Sequence, residues 1–135
     1  MTYLRQCIQG LVTLILIVAV LSGCGGAETR KAKYLEKAKE YIEQENYKKA
    51  AIELRNVLQI DPKHSEAYYL IGAIEEKDQN WAKAYGNYAK ALDLDPSYAE
   101  ARLKLGYFSL MSNDNEKAKE HVDIVLAKDP ESLGG

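Results

Sequence analysis

Apolar residues in the body of the chain recur three and four positions apart, which is the spacing of an amphipathic α-helix. Prolines interrupt this pattern at a fixed interval, because Pro62, Pro96 and Pro130 lie 34 residues apart and each follows an aspartate. A proline ends a helix, since its ring clashes with the preceding turn and it has no backbone N–H. A fixed period of this length indicates a repeat architecture of three equivalent blocks.

Each block contains two predicted helices, and the blocks span residues 31–64, 65–98 and 99–132. The helices are separated at the sixteenth position of each block, which holds Asn46, Asn80 and Asp114. Asn and Asp side chains accept hydrogen bonds from the free backbone N–H groups of a helix start, so we expect these three residues to cap the second helices.

Small residues recur at the positions where two helices would meet. The eighth position is always Ala or Gly, the twentieth is always Ala, and the twenty-fourth is larger, as follows: Ala38, Gly72, Gly106; Ala50, Ala84, Ala118; Leu54, Tyr88, Val122. This arrangement predicts helix hairpins whose two axes approach closely at the small side chains.

These positions resemble the tetratricopeptide repeat (TPR) from residue 31 to residue 132. The resemblance implies an all-α TPR solenoid of three antiparallel helix hairpins, in a domain spanning residues 31–135. Two features depart from the family pattern. The aromatic residue usual at the fourth position is replaced by Arg102 in the third block, and the Tyr usual at the eleventh position is replaced by Glu75 and Ser109. The second and third hairpins therefore match the family pattern less closely, and the pattern leaves the packing near Glu75 and Ser109 open.

The start of the chain has the pattern of a secretory signal peptide over residues 1–23. Arg5 precedes an apolar run from Leu11 to Leu21, which is followed by the small residues Ser22 and Gly23. A helix of this run rises only about 16 Å, which is short of the roughly 30 Å hydrocarbon core of a membrane. The pattern therefore favours a cleaved leader over a membrane span.

The four residues Leu21-Ser22-Gly23-Cys24 resemble the lipobox of bacterial lipoproteins. The resemblance implies cleavage before Cys24 and acylation of its sulfur, with residues 24–30 forming the lipidated cysteine and a short flexible spacer. Two or more acyl chains anchor a protein stably to a membrane. The residue after Cys24 is Gly25 and not Asp. In this respect the sequence resembles Gram-negative lipoproteins that are sorted to the outer membrane. We therefore expect a bacterial cell-envelope protein, facing the periplasm from the outer membrane in a Gram-negative cell.

Composition narrows the range of functions. The chain has 18 basic and 20 acidic residues, and a net charge of −2 argues against a nucleic-acid partner. Gly-rich phosphate loops, paired Cys or His ligands and Ser nucleophile elbows are all missing from the sequence. The sequence therefore predicts no catalytic residue, no metal site and no cofactor, and it places His64 and His121 at exposed positions.

The TPR resemblance also implies a binding surface, because first-helix residues of the family line a concave groove that holds an extended peptide or a helix. Carried over to this sequence, the groove comprises Leu35, Lys39, Glu43, Tyr69, Ala73, Glu76, Leu103, Lys104 and Tyr107. Chaperone-binding TPR domains hold a peptide carboxylate with Lys, Asn and Arg. Here the corresponding positions include Leu35, Lys39, Leu70, Glu100 and Lys104. Most of the clamp is therefore missing, and we do not expect a carboxyl-terminal chaperone tail as the ligand.

The last helix is expected to leave part of an apolar face, including Val122, Val125 and Leu126, open to water. Terminal repeats normally need a polar outer face. Either another surface covers these residues, or the chain is the front part of a longer array. We expect the isolated body to self-associate through this helix or to be only marginally folded.

These features predict a membrane-anchored, non-enzymatic scaffold for protein–protein interaction. Residues 50–59, together with the leader, resemble the TPR lipoproteins of exosortase (PEP-CTERM) systems, which are associated with exopolysaccharide and surface-protein export. The lipobox followed by few repeats also resembles the pilot lipoprotein of type IV pili. A third alternative is the TPR adaptor end of a longer enzyme or sensor. The sequence leaves all three open.

The lipobox predicts that Cys24 is the site of acylation. Replacing Cys24 with Ala should abolish incorporation of labelled palmitate and release the protein from the membrane fraction, because no other cysteine follows the leader. Cys7→Ala, within the leader, is the control and should leave labelling unchanged. Continued labelling of Cys24→Ala would show that the lipobox interpretation is wrong.

Overall fold

The computed structural model describes residues 26–128, which form six helices and no strand within that range. The helices are α1 (26–43), α2 (Tyr47–Ile60), α3 (Ser65–Lys77), α4 (Trp81–Leu94), α5 (Ala99–Met111) and α6 (Asn115–Lys128). They pair as the hairpins α1–α2, α3–α4 and α5–α6, and each hairpin packs on the next. The predicted all-α stack of three hairpins is confirmed for these residues. The leader, Cys24 and residues 129–135 lie outside them.

Helix α1 already includes residues 26–30, which the sequence analysis assigned to a flexible spacer. The described part of that segment is therefore helical. None of the helices within residues 26–128 is long and apolar enough to cross a membrane.

The turn inside each hairpin is closed by one residue in the left-handed region. Glu45, Gln79 and Asn113 have φ angles of 56°, 60° and 59°. The N–H of the following residue then donates back to a carbonyl five positions earlier, at distances of 2.7, 2.8 and 2.9 Å for Asn46, Asn80 and Asp114. This geometry satisfies carbonyl groups that the end of the first helix leaves without a partner.

Two of the three predicted N-caps are confirmed. The Asn46 side chain accepts from the Lys49 N–H at 3.4 Å, and Asp114 Oδ1 accepts from the Lys117 N–H at 3.1 Å. The prediction is wrong for Asn80, which occupies the cap position but makes no capping hydrogen bond with its side chain. Its amide nitrogen instead donates to Glu75 Oε2 at 2.9 Å, because the carboxylate at the eleventh position lies within reach.

The fourth position of the repeat anchors the turn between hairpins. The Tyr68 hydroxyl donates to the Pro62 carbonyl at 3.3 Å, and Arg102 Nη2 donates to the Pro96 carbonyl at 2.9 Å. Arg102 departs from the family pattern, yet it makes the same hydrogen bond as the aromatic residue it replaces. The departure therefore leaves the turn intact.

The small positions of the repeat lie at the closest helix contacts. Ala38, Ala50 and Ala84 are fully buried. A Cβ added at Gly72 would lie 2.9 Å from two ring carbons of Tyr88 and 3.3 Å from the Ala84 carbonyl oxygen. The prediction from the eighth and twentieth positions is thus confirmed, and in the second hairpin the space beside Gly72 is filled by an aromatic ring.

The eleventh position of the third hairpin borders a cleft. Ser109 is buried and its hydroxyl donates to the Leu105 carbonyl at 3.1 Å. Ser109, Trp81, Tyr85 and Phe108 line an open cleft of about 450 Å³ between α4 and α5. A small side chain at this position leaves the aromatic residues of α4 partly exposed.

Two expectations for α6 are corrected. Val125 is only 3 % exposed, because the start of α5, including Arg102, lies beside it; Val122 and Leu126 are half-buried. His121 is half-buried, not exposed, and its Nδ1 is buried with no hydrogen-bond partner in the described part of the chain. Burial, and secondly the charge of Arg102, lower the pKa of His121.

The contact between Gly72 and Tyr88 predicts opposite effects for two glycine substitutions. Gly72→Ala should lower the free energy of unfolding by about 1 kcal/mol, because overpacking a buried site costs more than the gain in helix propensity. Gly86→Ala is the matched control: a Cβ there meets nothing within 4 Å, so the same change should stabilise α4 by roughly 0.5–1 kcal/mol.

Thermal or urea unfolding of the purified variants measures both effects. An increase in stability for Gly72→Ala equal to that for Gly86→Ala would contradict the close approach at Gly72.

Candidate peptide-binding groove

A pocket of about 360 Å³ lies between α3 and α5, the first helices of the second and third hairpins. We call it the α3–α5 pocket. It is lined by Tyr69, Glu76, Glu100, Leu103, Lys104 and Tyr107. Five of these residues were predicted for the groove, and Glu100 is added by the structure. The size suits a few side chains of a bound segment.

The other four predicted groove residues lie outside this pocket. Leu35 packs against the buried cluster of the first hairpin, and Ala73 is half-buried on α3. Lys39 forms an ion pair with Glu66 at 2.6 Å, whereas Glu43 is exposed. The structure thus brings together five predicted residues of the second and third hairpins, whereas Ala73 and the three residues of α1 do not line this pocket.

The centre of the α3–α5 pocket is a hydrogen-bonded group of three side chains. Lys104 Nζ lies 2.9 Å from both carboxylate oxygens of Glu76. The Tyr88 hydroxyl donates to Glu76 Oε2 at 2.6 Å, and Lys104 Nζ lies 5.9 Å from the centre of the Tyr88 ring. Since Glu76 is on α3, Tyr88 on α4 and Lys104 on α5, this group joins three helices.

Tyr88 was not predicted to contribute to the site. It was assigned only as the large residue at the twenty-fourth position, where the other blocks have Leu54 and Val122. A tyrosine at a fully buried position needs a partner for its hydroxyl. The sequence therefore indicated that the Tyr88 hydroxyl has a hydrogen-bond partner, but it did not identify that partner as Glu76.

The protonation states of the pocket follow from burial and from this group. Burial alone would raise the pKa of Glu76, but the hydrogen bonds from Tyr88 and Lys104 outweigh it and hold that pKa below its ordinary value. Burial, reinforced by the bond to Glu76, raises the pKa of Tyr88. Burial also raises the pKa of Tyr69. Glu76 is therefore an anion at neutral pH, and both tyrosines are neutral hydrogen-bond donors.

The charges of the predicted groove leave a surplus of carboxylates. Lys39 is paired with Glu66, and Lys104 is paired with Glu76. Glu43 and Glu100 form no ion pair within residues 26–128. Both lysines are thus neutralised by the protein itself, and no cation of the groove remains for a ligand carboxylate. No group of three or more potential metal ligands occurs in the described part of the chain.

The depressed pKa of Glu76 predicts a pH-dependent contribution to stability. The contribution is present above the ordinary carboxyl pKa of 4.5 and is lost as the pH falls through the lower value of the folded state. Glu76→Gln should therefore lower the free energy of unfolding by about 1 kcal/mol at pH 7, and the difference from the parent protein should shrink below about pH 4.5.

Urea unfolding between pH 3 and pH 7 measures this difference. Glu43→Gln, an exposed carboxylate without an ion pair, is the control and should change stability little at either pH. An equal loss for Glu76→Gln at both ends of the range would mean that side-chain shape, not charge, is responsible.

Comparison with known proteins is informative at the level of the family. Two sequence profiles described as tetratricopeptide repeat match residues 35–98 and 75–133. No protein of curated function is similar enough in sequence to be matched.

Solved structures with the same fold include MamA from Desulfovibrio magneticus RS-1, which is 27% identical with a TM-score of 0.62 over 74% of this chain and 56% of that one. The first TPR domain of Spaghetti (RPAP3), bound to the HSP90 peptide SRMEEVD, is 21% identical with a TM-score of 0.69 over 78% of this chain and 83% of that one. The Pseudomonas aeruginosa protein pilF is 23% identical with a TM-score of 0.66 over 75% of this chain and 46% of that one.

This chain thus spans little more than half the length of the MamA chain it matches. The likeness to RPAP3 and to pilF concerns the fold alone. Profile matches, helix hairpins and the 34-residue period agree, and residues 35–133 of this chain belong to the tetratricopeptide repeat family.

Proposed function

We propose that this protein is a non-enzymatic scaffold that binds a segment of another protein in the α3–α5 pocket. The observation that supports the proposal is the pocket itself, in which Tyr69, Leu103 and Tyr107 offer apolar surface beside an ion pair that is already formed. The fold is one in which a neighbour, the first TPR domain of RPAP3, binds a peptide. Aromatic side chains that are partly exposed in a pocket are the residue type that most often dominates binding energy at interfaces.

The charges of the groove favour a segment that combines an apolar side chain with basic residues. Glu100 borders the pocket and Glu43 lies on α1. Neither carboxylate forms an ion pair in the described part of the chain. An anionic ligand would compete with Glu76 for the charge of Lys104, and a half-buried carboxylate that lost this ion pair would keep only the Tyr88 hydroxyl as a partner. An acidic carboxyl-terminal tail, such as the HSP90 peptide of RPAP3, is therefore the wrong ligand for this groove.

The scaffold is anchored, in this proposal, through Cys24 to a membrane of the bacterial cell envelope, and it serves exopolysaccharide or surface-protein export. The support is the lipobox and the resemblance of residues 50–59 to TPR lipoproteins of exosortase systems. A second candidate is a role in type IV pilus assembly like that of a pilot lipoprotein, which is supported by the same leader and by a fold shared with pilF.

Selection from a random peptide library tests the binding proposal. We expect enriched peptides to carry one large apolar residue next to Lys or Arg, and to bind equally well with a free or an amidated carboxyl terminus. Tyr69→Ala should weaken binding about tenfold or more, since truncation of an aromatic anchor typically removes at least 1–2 kcal/mol.

Arg55→Ala, an exposed residue of α2 outside the predicted groove, is the control and should leave the affinity unchanged. Enrichment of acidic peptides that require a free carboxylate, with loss of binding in Lys104→Ala, would overturn the proposal.

A further inference from the structure

A second apolar surface lies on the end of the stack, where α5 and α6 lie side by side. We call it the α5–α6 end face. It contains a pocket of about 380 Å³ that is lined chiefly by Leu103, Gly106, Tyr107, Leu110, Ala118 and Val122. Tyr107 and Leu110 are 52 % and 54 % exposed, so large apolar side chains face solvent here. An exposed patch of this kind marks an interaction site.

The internal repeats show what covers this surface elsewhere in the same chain. Leu110 and Val122 occupy the twelfth and twenty-fourth positions of their block, and the same positions of the first block hold Ile42 and Leu54. In the first hairpin these residues form a buried cluster with side chains of α3, and Leu54 is fully buried. In the second hairpin Tyr88 is likewise fully buried and packs with residues of α5. The occupant at both interfaces is a single amphipathic helix.

The two covering helices share a pattern of side chains. The small residue Ala67 of α3 is followed by Ile71 and Ile74, and Ala101 of α5 is followed in the same spacing by Leu105 and Phe108. They differ at one position. Leu70 of α3 packs on the apolar cluster of the first hairpin, whereas the equivalent Lys104 of α5 pairs with Glu76 of the second.

At the position that contacts Leu70 or Lys104, the α5–α6 end face resembles the first hairpin and not the second. Leu110 stands where the first hairpin has Ile42, and no carboxylate replaces Glu76. A helix on this face therefore needs an apolar residue at the position of Leu70, because a lysine there would lie against Leu110 with no partner for its charge.

We propose that the α5–α6 end face binds an amphipathic helix of another protein, with the side-chain pattern Ala-x2-Leu-Ile-x2-Ile of α3. This site extends the interface between successive hairpins, and it adjoins the α3–α5 pocket, with which it shares Leu103 and Tyr107. It gives the scaffold a second point of attachment for partners.

A second copy of this chain fits the face poorly in head-to-tail stacking. The helix that would arrive is α1, which has Lys33, Lys37 and Glu40 where α3 has Ala67, Ile71 and Ile74. Lys33 and Glu40 are exposed in the structure. Burying these charged side chains against Leu110 and Val122 would remove them from water without compensation. The face of α1 that would arrive therefore lacks the apolar pattern of α3.

Two peptides taken from this chain provide probes of matched length. One has the sequence of residues 64–80, which include α3, and the other has that of residues 98–114, which include α5; each is held helical by a lactam bridge on its solvent face. Fluorescence anisotropy with the full chain in dodecyl maltoside should show saturable binding of the α3 peptide, and about tenfold or more weaker binding of the α5 peptide because of Lys104.

The variant Leu110→Glu should reverse this preference, since it recreates at the end face the carboxylate that Glu76 supplies to Lys104 in the second hairpin. Leu110 is more than half exposed, so the substitution leaves the buried core intact. Tyr69→Ala, in the α3–α5 pocket, should change neither affinity, which separates this proposal from the proposed function.

Equal binding of the two peptides, no saturable binding of either, or an unchanged preference in Leu110→Glu would overturn the proposal. Sedimentation of the full chain without peptide tests the remaining alternative. A dimer that Leu110→Glu converts to a monomer would show that the end face binds a second copy, and would also overturn the proposal; a monomer in both cases supports it.

Discussion

The placement of the Tyr88 ring against Gly72 is the contact on which the second half of the stack depends. Only a glycine leaves room for the ring, because a Cβ at that position would lie 2.9 Å from two of its carbons. The ring is fully buried, and its hydroxyl reaches Glu76 at 2.6 Å. Glu76 in turn holds Lys104 of the next hairpin. The space beside Gly72 in the second hairpin therefore positions the ion pair between the second and third hairpins.

In the proposed function, the same group of side chains determines which ligands the groove accepts. Lys104 is the cation that a peptide carboxylate would need in the α3–α5 pocket, yet it already contributes its charge to the interface between hairpins. Burial strengthens the ion pair between Lys104 and Glu76, since Glu76 and its partner Tyr88 lie in surroundings where an unpaired charge is costly. Stability of the stack and selectivity of the groove thus have one physical origin, and a change to either partner alters both.

The stack also has a direction, which arises from the unequal chemistry of its two ends. The side of α1 that corresponds to the covering faces of α3 and α5 is charged, whereas the α5–α6 end face is apolar and partly exposed. Between them, the interfaces alternate from apolar, around Leu54, to hydrogen-bonded, around Tyr88. Each of the two interfaces therefore has its own chemistry, as expected of a repeat stack in which a block contacts its neighbours.

The period of 34 residues, the Asp-Pro turns and the small residues at the eighth and twentieth positions determined the hairpins by themselves, because they act through local rules of helix ending and close packing. The resemblance to the family supplied five of the residues that line the α3–α5 pocket. Local rules failed where a side chain had two possible partners. The Asn80 side chain, for example, donates to Glu75 and makes no capping hydrogen bond to α4. They also failed for His121 and Val125, whose burial depends on how closely α6 lies against α5. Only the tertiary structure decided that Lys104 pairs with Glu76, because the two residues are separated by 28 positions and meet only after two hairpins have packed around Tyr88.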